Sequence, residues 1–261
     1  MKVLLIGGDK RSEFAEKEFT KAGFETETLG LYENDNGNLS KADIIVLPVP
    51  TTRDGENVFC PLTKRVIPLE SLNRVCKKTL IFSSLYGSEK ENFTDICALE
   101  EFAQMNAVPT AEGAIAYAVL NTGFTLLNSK ILIIGNGRIG KALRERLKAF
   151  GADITVSARK LRDFAEINAG GCKYTETKKV PDLIDNYDLI FNTADTKLFK
   201  YEELCRSDIT LIDLSTLGCC DSYGGRIQKL PGLPGKTAPE TAGKIIAKTV
   251  IGQLKLRRER N

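Results

Sequence analysis

The chain has 261 residues, 42% of them hydrophobic, and its 37 Lys and Arg against 34 Asp and Glu leave a formal charge of only +3. These figures describe a globular protein of two domains or one large α/β unit, and they exclude a dedicated nucleic-acid binder, whose phosphate contacts need clustered cations. The sequence contains no histidine, which rules out Ser-His-Asp and Cys-His nucleophiles, His-ligated zinc and any His–carboxylate proton relay.

The opening MKVLLIGGDKR carries too short an apolar run for a signal peptide or a membrane span. It predicts a first strand over 2–8 and a cytoplasmic protein with no membrane attachment. A helix is expected near 12–22 and a strand over 24–29, followed by strands over 43–50 (DIIVLPVP) and 79–85 (TLIFSSL). Between the last two, the polar stretch TTRDGENVFCP (51–61) reads as a loop at a strand's carboxyl end, where open α/β sheets bind ligands. After Asn92 comes another strand-and-helix step, which Pro109 is expected to break. The Ala-rich segment 111–123 then predicts a separate helix joining two lobes and ending at Gly123. A second series follows, with KILIIGNGRIGKALRERLKAFGADITVSARK (130–160), later strands over 188–194 and 209–215, and a terminal helix with Ile245, Ile246, Val250, Ile251 and Leu254 at helical spacing.

Strand-length apolar runs alternating with helical periods give the fold class: α/β, two Rossmann-like or flavodoxin-like lobes with parallel sheets. The expected division is a first, substrate-binding lobe over 1–110, a connecting helix over 111–128 and a nucleotide-binding lobe over 129–236, the terminal helix 237–261 being free to pack back on the first lobe. The seven cysteines (60, 76, 97, 172, 205, 219, 220) are scattered and lack a C-x-x-C pair. They read as reduced thiols of a cytosolic protein, with no metal site.

Gly135-Asn136-Gly137-Arg138-Ile139-Gly140 is a G-x-G-x-x-G between a strand and a helix, the context that makes this motif a dinucleotide site. Gly135 permits the tight turn, Gly137 lets backbone approach a pyrophosphate, and Gly140 lets helix pack on strand. At the next strand tip, where an NAD site carries an acid, stand Ser157, Arg159 and Lys160. A hydroxyl and two cations suit a 2′-phosphate, so the expected cofactor is NADP. Thr193, Ala194, Leu214 and Ser215, at the carboxyl ends of later strands, are expected along the nicotinamide half.

The strings IGGDKR, LPVPTTRDGENV, NAVPTAEGAIAYA, GNGRIGKAL and PGLPGKTAPETAGKII resemble the A-subunit of dipicolinate synthase from spore-forming bacteria, from residue 3 to about residue 250. The resemblance implies an arrangement like the formate/glycerate-dehydrogenase group, with the active site in the cleft between lobes. It also implies NADP-dependent oxidation of a dihydrodipicolinate-type cyclic dicarboxylate to dipicolinate, together with the flavoprotein-like B-subunit of dipicolinate synthase, in the mother cell during sporulation. A homo-oligomer is expected as well.

Such a reaction makes an aromatic ring, so the product's stability drives it and a strong base is dispensable. The protein has to orient the substrate and neutralise its carboxylates. In the first lobe Gly7, Gly8 and Arg11 follow the first strand, while Thr51, Thr52 and Arg53 follow a later one; Gly8, Arg11, Thr51, Thr52 and Arg53 are the expected substrate contacts. Asp9 is a candidate general base or the N-cap of the next helix, and Glu112 is a second candidate base. Two other readings remain open at this point. One is a shikimate-dehydrogenase-like reductase with a Lys–Asp pair, for which Lys64 or Lys236 would serve; the other is a nucleotide-binding regulatory subunit without chemistry of its own.

Overall fold

The computed structural model describes residues 1–84, 86–87 and 90–260, the last without its side chain. The chain forms two compact units, Met1–Asn106 with Pro234–Asn261, and Ala107–Leu233.

The first unit contains β1 (Lys2–Ile6), α1 (Lys10–Lys21), β2 (Glu25–Leu29), β3 (Ile44–Val46), β4 (Leu80–Ser83) and β5 (Phe93–Asp95). Its sheet runs β2-β1-β3-β4-β5 with every pairing parallel, which is the flavodoxin-like order 2-1-3-4-5. Val3, Leu4, Leu5 and Ile6 are all buried, because both faces of the strand are covered: Val3 and Leu5 pack with two helices, and Leu4 and Ile6 with Val58, Cys60, Ile67, Leu69 and Leu72. On one face α1 contributes Ala15 and Phe19. The C-terminal helix packs beside them through Ile245, Ile246, Ala247, Val250 and Leu254.

The second unit opens with α2 (Glu100–Asn121), whose residues from Ala107 onward belong to it, and continues with β6 (Lys130–Ile134), α3 (Arg138–Ala149), β7 (Asp153–Ala158), α4 (Leu161–Ala169), β8 (Lys173–Glu176), β9 (Leu189–Asn192), α5 (Tyr201–Leu204), β10 (Thr210–Asp213) and β11 (Ile227–Lys229). Its order β11-β10-β9-β6-β7-β8, again all parallel, is the Rossmann order 3-2-1-4-5-6 read from its far edge. The short α6 (Leu233–Thr237) and α7 (Pro239–Arg260) close the chain. No helix among the described residues is long and apolar enough to cross a membrane.

The structure corrects three local expectations. Pro109 does not break a helix: α2 runs through it as one 22-residue element. Proline removes one backbone hydrogen bond and crowds the preceding turn, but Phe102 before it and Ala111, Ala114 and Ala118 after it are buried, and that packing outweighs the local cost. β8 and β11 were invisible in the sequence because they are the edge strands of the second sheet, with the polar sequences KYTE and IQK and none of the apolar runs of central strands. The segment PGLPGKTAP, where no helix was expected before residue 237, contains the helix α6.

Candidate functional site

Each sheet has one point where the strand order reverses, and loops from the two strands flanking it face a common crevice at their carboxyl ends. In the second unit those strands are β6 and β9, followed by Gly135 and Thr193. Gly135 has φ +101°, a left-handed conformation that glycine alone adopts without strain, and a Cβ there would lie 2.8 Å from Thr193 Oγ1. The Thr193 hydroxyl donates to the Ile134 carbonyl at 2.9 Å, tying β9 to the start of the loop. A Cβ on Gly140 would collide with the Gly135 carbonyl oxygen, so α3 can pack this closely only with glycine there.

Gly137 differs from both. It is the N-cap of α3, without a side-chain capping bond, and a Cβ added to it would meet nothing within 4 Å. The first N–H groups of α3 therefore face open space at the positive end of the helix, the arrangement that receives a pyrophosphate. The Asn136 side chain is pinned: its amide is 3.4 Å from Glu166 Oε2 and its oxygen 3.3 Å from Arg144 Nη1. Lys141 pairs with the same Glu166 at 2.9 Å, and this hydrogen bond, aided by Arg144, holds the Glu166 carboxyl below its ordinary range. Ile139 is half-buried against the core and Arg138 is exposed.

At the β7 tip Arg159 and Lys160 are exposed, just beyond a register that sets Ser157 beside Ile134. Ser157 itself does not join them. It is fully buried, its hydroxyl 3.3 Å from that of Thr177, because β7 is covered on both faces, with every residue from Ile154 to Ala158 buried; the two cations remain available to a ligand. Ser215 is likewise engaged: its amide and hydroxyl both donate to Asp213 Oδ1, at 2.9 and 2.6 Å. Leu214 is half-buried on the core, and the Ala194 amide bonds Asn192 Oδ1 at 3.2 Å.

Asp213, which sequence reasoning overlooked, organises this end of the sheet. Its carboxylate is fully buried and also accepts from Asn192 Nδ2 at 2.9 Å, the Cys219 amide at 2.6 Å and the Tyr223 hydroxyl at 2.6 Å. Burial pushes its carboxyl up, but these donors prevail and lower it to about 2. Burial, with this charge beside it, raises the Cys219 thiol, so the vicinal Cys219–Cys220 is a packed, protonated element. The one sequence signal was an acid ending an otherwise apolar strand run, ITLID.

In the first unit the order reverses between β1 and β3, and the loops that follow them meet. The Gly8 amide donates to the Phe59 carbonyl at 2.7 Å, and the Phe59 amide to that of Thr51 at 2.9 Å. Asp9 caps α1, accepting from the Arg11 amide at 3.0 Å. Its two oxygens also accept from Arg11 Nε and Nη2 at 2.9 and 2.8 Å, a bidentate pair that is largely buried. Burial raises the Asp9 carboxyl, yet the Arg11 bonds and the charges of Arg11 and Arg53 hold it below its ordinary value. Asp9 is therefore a fixed anion and a poor proton acceptor, which removes it as a general base. Arg53 is exposed with its guanidinium 4.0 Å from the Phe59 ring centroid, a cation–π seat in place of a carboxylate partner.

Three further expectations change. Thr51 is fully buried, donating to the Pro48 carbonyl at 3.2 Å and accepting from the Ser84 amide at 2.8 Å, so its hydroxyl is consumed by the fold. Thr52 turns to Asp54, which closes the loop by also accepting from the Glu56 and Asn57 amides. Glu112 is held by a partner of its own. It is exposed on α2 in the second unit and paired with Arg146 Nε at 3.0 Å, toward the end of α3 opposite the glycine loop. The structure thus brings Gly8, Asp9, Arg11 and Arg53 together, and assigns Thr51, Ser157 and Ser215 to the framework.

Two family models match successive stretches of the chain. Residues 2–103 match the N-terminal domain of the dipicolinate synthase A-subunit, and residues 99–200 the NAD binding domain of D-isomer specific 2-hydroxyacid dehydrogenases. The dipicolinate synthase A-subunit of Bacillus subtilis (strain 168) is 26% identical over 95% of this chain and 93% of its own. The chain is thus similar to the dipicolinate synthase A-subunit over nearly its whole length. The crystal structure of the Bacillus halodurans A-subunit superposes with a TM-score of 0.87 at 25% identity, covering 97% of each chain. D-lactate dehydrogenase from Escherichia coli shares the fold, with a TM-score of 0.59 at 15% identity over 99% of this chain and 98% of its own. The second unit is accordingly a nicotinamide-dinucleotide-binding domain of oxidoreductase type.

Proposed function

We propose that the protein is an NADP-dependent dehydrogenase that oxidises a dihydrodipicolinate-type cyclic dicarboxylate to dipicolinate, paired, as the A-subunit of dipicolinate synthase, with a flavoprotein-like B-subunit. It would act in the cytoplasm of a sporulating mother cell and assemble as a homo-oligomer. The observation that carries the chemistry is the open α3 N-terminus at Gly137, in a chain whose relative over 95% of its length belongs to dipicolinate synthase. Gly135, Gly137, Gly140 and the first amides of α3 would hold the pyrophosphate, while Arg159 and Lys160 would meet the 2′-phosphate. When bound, the nicotinamide supplies a hydride acceptor.

The chain's own residues then have two tasks. Arg11 and Arg53 neutralise the two carboxylates and so hold the ring in one orientation. No protonatable histidine exists and Asp9 is locked as an anion, so the ring proton passes to water, a loss that aromatisation makes favourable. Neither Lys64 nor Lys236 is ion-paired with a carboxylate among the described residues, so the Lys–Asp chemistry of a shikimate-dehydrogenase-like enzyme has no support within the first unit. A regulatory protein without chemistry would show no reduced-nicotinamide absorbance when the purified chain meets NADP+ and freshly made dihydrodipicolinate synthase product, with and without the B-subunit; the proposed oxidation requires that absorbance to grow.

Arg159→Ala tests the cofactor assignment. Losing a charge-assisted contact is worth ~1.5–3 kcal/mol, so NADP+ affinity should fall by that amount while NAD+ affinity stays constant in calorimetric titration. Equal affinities of the unaltered protein for the two cofactors would sink the 2′-phosphate reading. Arg53→Ala tests the substrate side. A cation that meets a carboxylate in ground and transition states alike contributes uniform binding, so KM should rise more than kcat falls. Because Arg53 is exposed and solvent screens it, the expected loss in kcat/KM is only about 1 kcal/mol; steady-state kinetics with unchanged kcat/KM would mark it as a solvated loop charge.

A further inference from the structure

The Arg11 guanidinium is held on most sides. Its Nε hydrogen goes to Asp9 Oδ1 at 2.9 Å, and Nη2 donates to Asp9 Oδ2 at 2.8 Å and to the Val49 carbonyl oxygen. A guanidinium offers five N–H donors, so the two on Nη1 are those left without a partner among the described residues. The group also has a wall. A Cβ on Gly235 of α6 would lie 2.8 Å from Arg11 Nε, 3.0 Å from Cζ and 3.2 Å from Asp9 Oδ2, in contact with both members of the pair. The backbone at Gly235 is not left-handed, so glycine is required there for space alone.

Resting on the substrate reading above, we propose that Asp9 and Gly235 are positioning residues: together they fix the plane of Arg11 so that Nη1 alone is presented to one carboxylate of the substrate. A guanidinium with three donors already committed and its flank covered has little freedom left to lose on binding, so the carboxylate meets a preorganised partner. Arg53, seated on the Phe59 ring, is the adaptable counterpart for the other carboxylate.

The test is calorimetric titration of the whole protein with dipicolinate, for wild type, Arg11→Ala, Gly235→Ala and the double variant, with NADP+ titrated in parallel. Gly235→Ala is expected to weaken dipicolinate roughly tenfold, with Arg11→Ala at least as damaging, and with NADP+ affinity unaltered. Because Gly235 is argued to act through Arg11, adding Gly235→Ala to Arg11→Ala should cost nothing more. Asp9→Asn keeps the helix cap and carries the same cycle should Gly235→Ala fail to fold. Additive losses, or single variants that bind dipicolinate like wild type while Arg11→Ala does not, overturn the positioning role and leave the substrate reading standing. Dipicolinate binding unaffected by Arg11→Ala overturns the proposal, and a wild-type protein that does not bind dipicolinate overturns both.

Discussion

Gly137→Val is expected to abolish dinucleotide binding while leaving the fold in place. The backbone at Gly137 has φ −79° and ψ −169°, extended values open to any residue, and an added Cβ touches no protein atom within 4 Å. A valine there collides only with what comes to the helix N-terminus from outside. Giving up glycine at the N-cap costs the helix about 0.5–1 kcal/mol, too little to unfold a unit whose central strands are wholly buried. By contrast, filling the space where pyrophosphate meets the amides should remove about 3 kcal/mol or more of binding, over a hundredfold in affinity. Titration with NADP+ beside a thermal unfolding curve separates the two effects; retained affinity would mean that the glycine loop is only a turn.

Asp213→Ala is expected to produce the largest loss of stability. Five donors converge on this buried carboxylate: the amides of Ser215 and Cys219, the hydroxyls of Ser215 and Tyr223, and the Asn192 side chain. Removing the acceptor leaves them desolvated together, at a cost of roughly 3–5 kcal/mol, which denaturant unfolding near neutral pH measures. The pH dependence has a definite sign. The native carboxyl is lowered to about 2 from an ordinary 3.8, so its contribution is complete above the unfolded value and disappears as pH falls through the native one. Between pH roughly 4 and 2 the wild type should lose about 2 kcal/mol through this group, and the gap to Asp213→Ala should narrow over that window. A variant as stable as wild type near neutral pH, or a gap that does not narrow in acid, would show that the donors find other partners.

The central strands and the cofactor loop were legible in the sequence because each is a local pattern. KVLLI and KILII are continuous apolar runs, and strands buried on both faces can hardly be written otherwise. The contact of Gly140 with the Gly135 carbonyl and the open N-cap at Gly137 lie within a single strand–turn–helix unit, while Gly135 faces Thr193 and Ala194 from the end of a later strand. Asp9 beside Arg11 was readable as a cap and a cation, two residues apart. That the pair is bidentate, that Val49 takes a third hydrogen and that Gly235 covers its flank depend on segments tens to hundreds of residues away, brought together by the 2-1-3-4-5 strand order and the return of the chain's end. The same distance dependence misled the reading of Thr51 and Ser157, hydroxyl residues in loop-end positions whose exposure only packing decides. It also hid Asp213, whose donors lie between two and twenty-one residues away on either side. Sequence by itself determined which segments become strands and where a dinucleotide would bind, since hydrophobic periodicity and glycine geometry act over a few residues. Tertiary structure alone decided which polar groups are consumed by the framework and which stay free for a ligand, because a hydrogen bond is satisfied by whatever the fold places within reach.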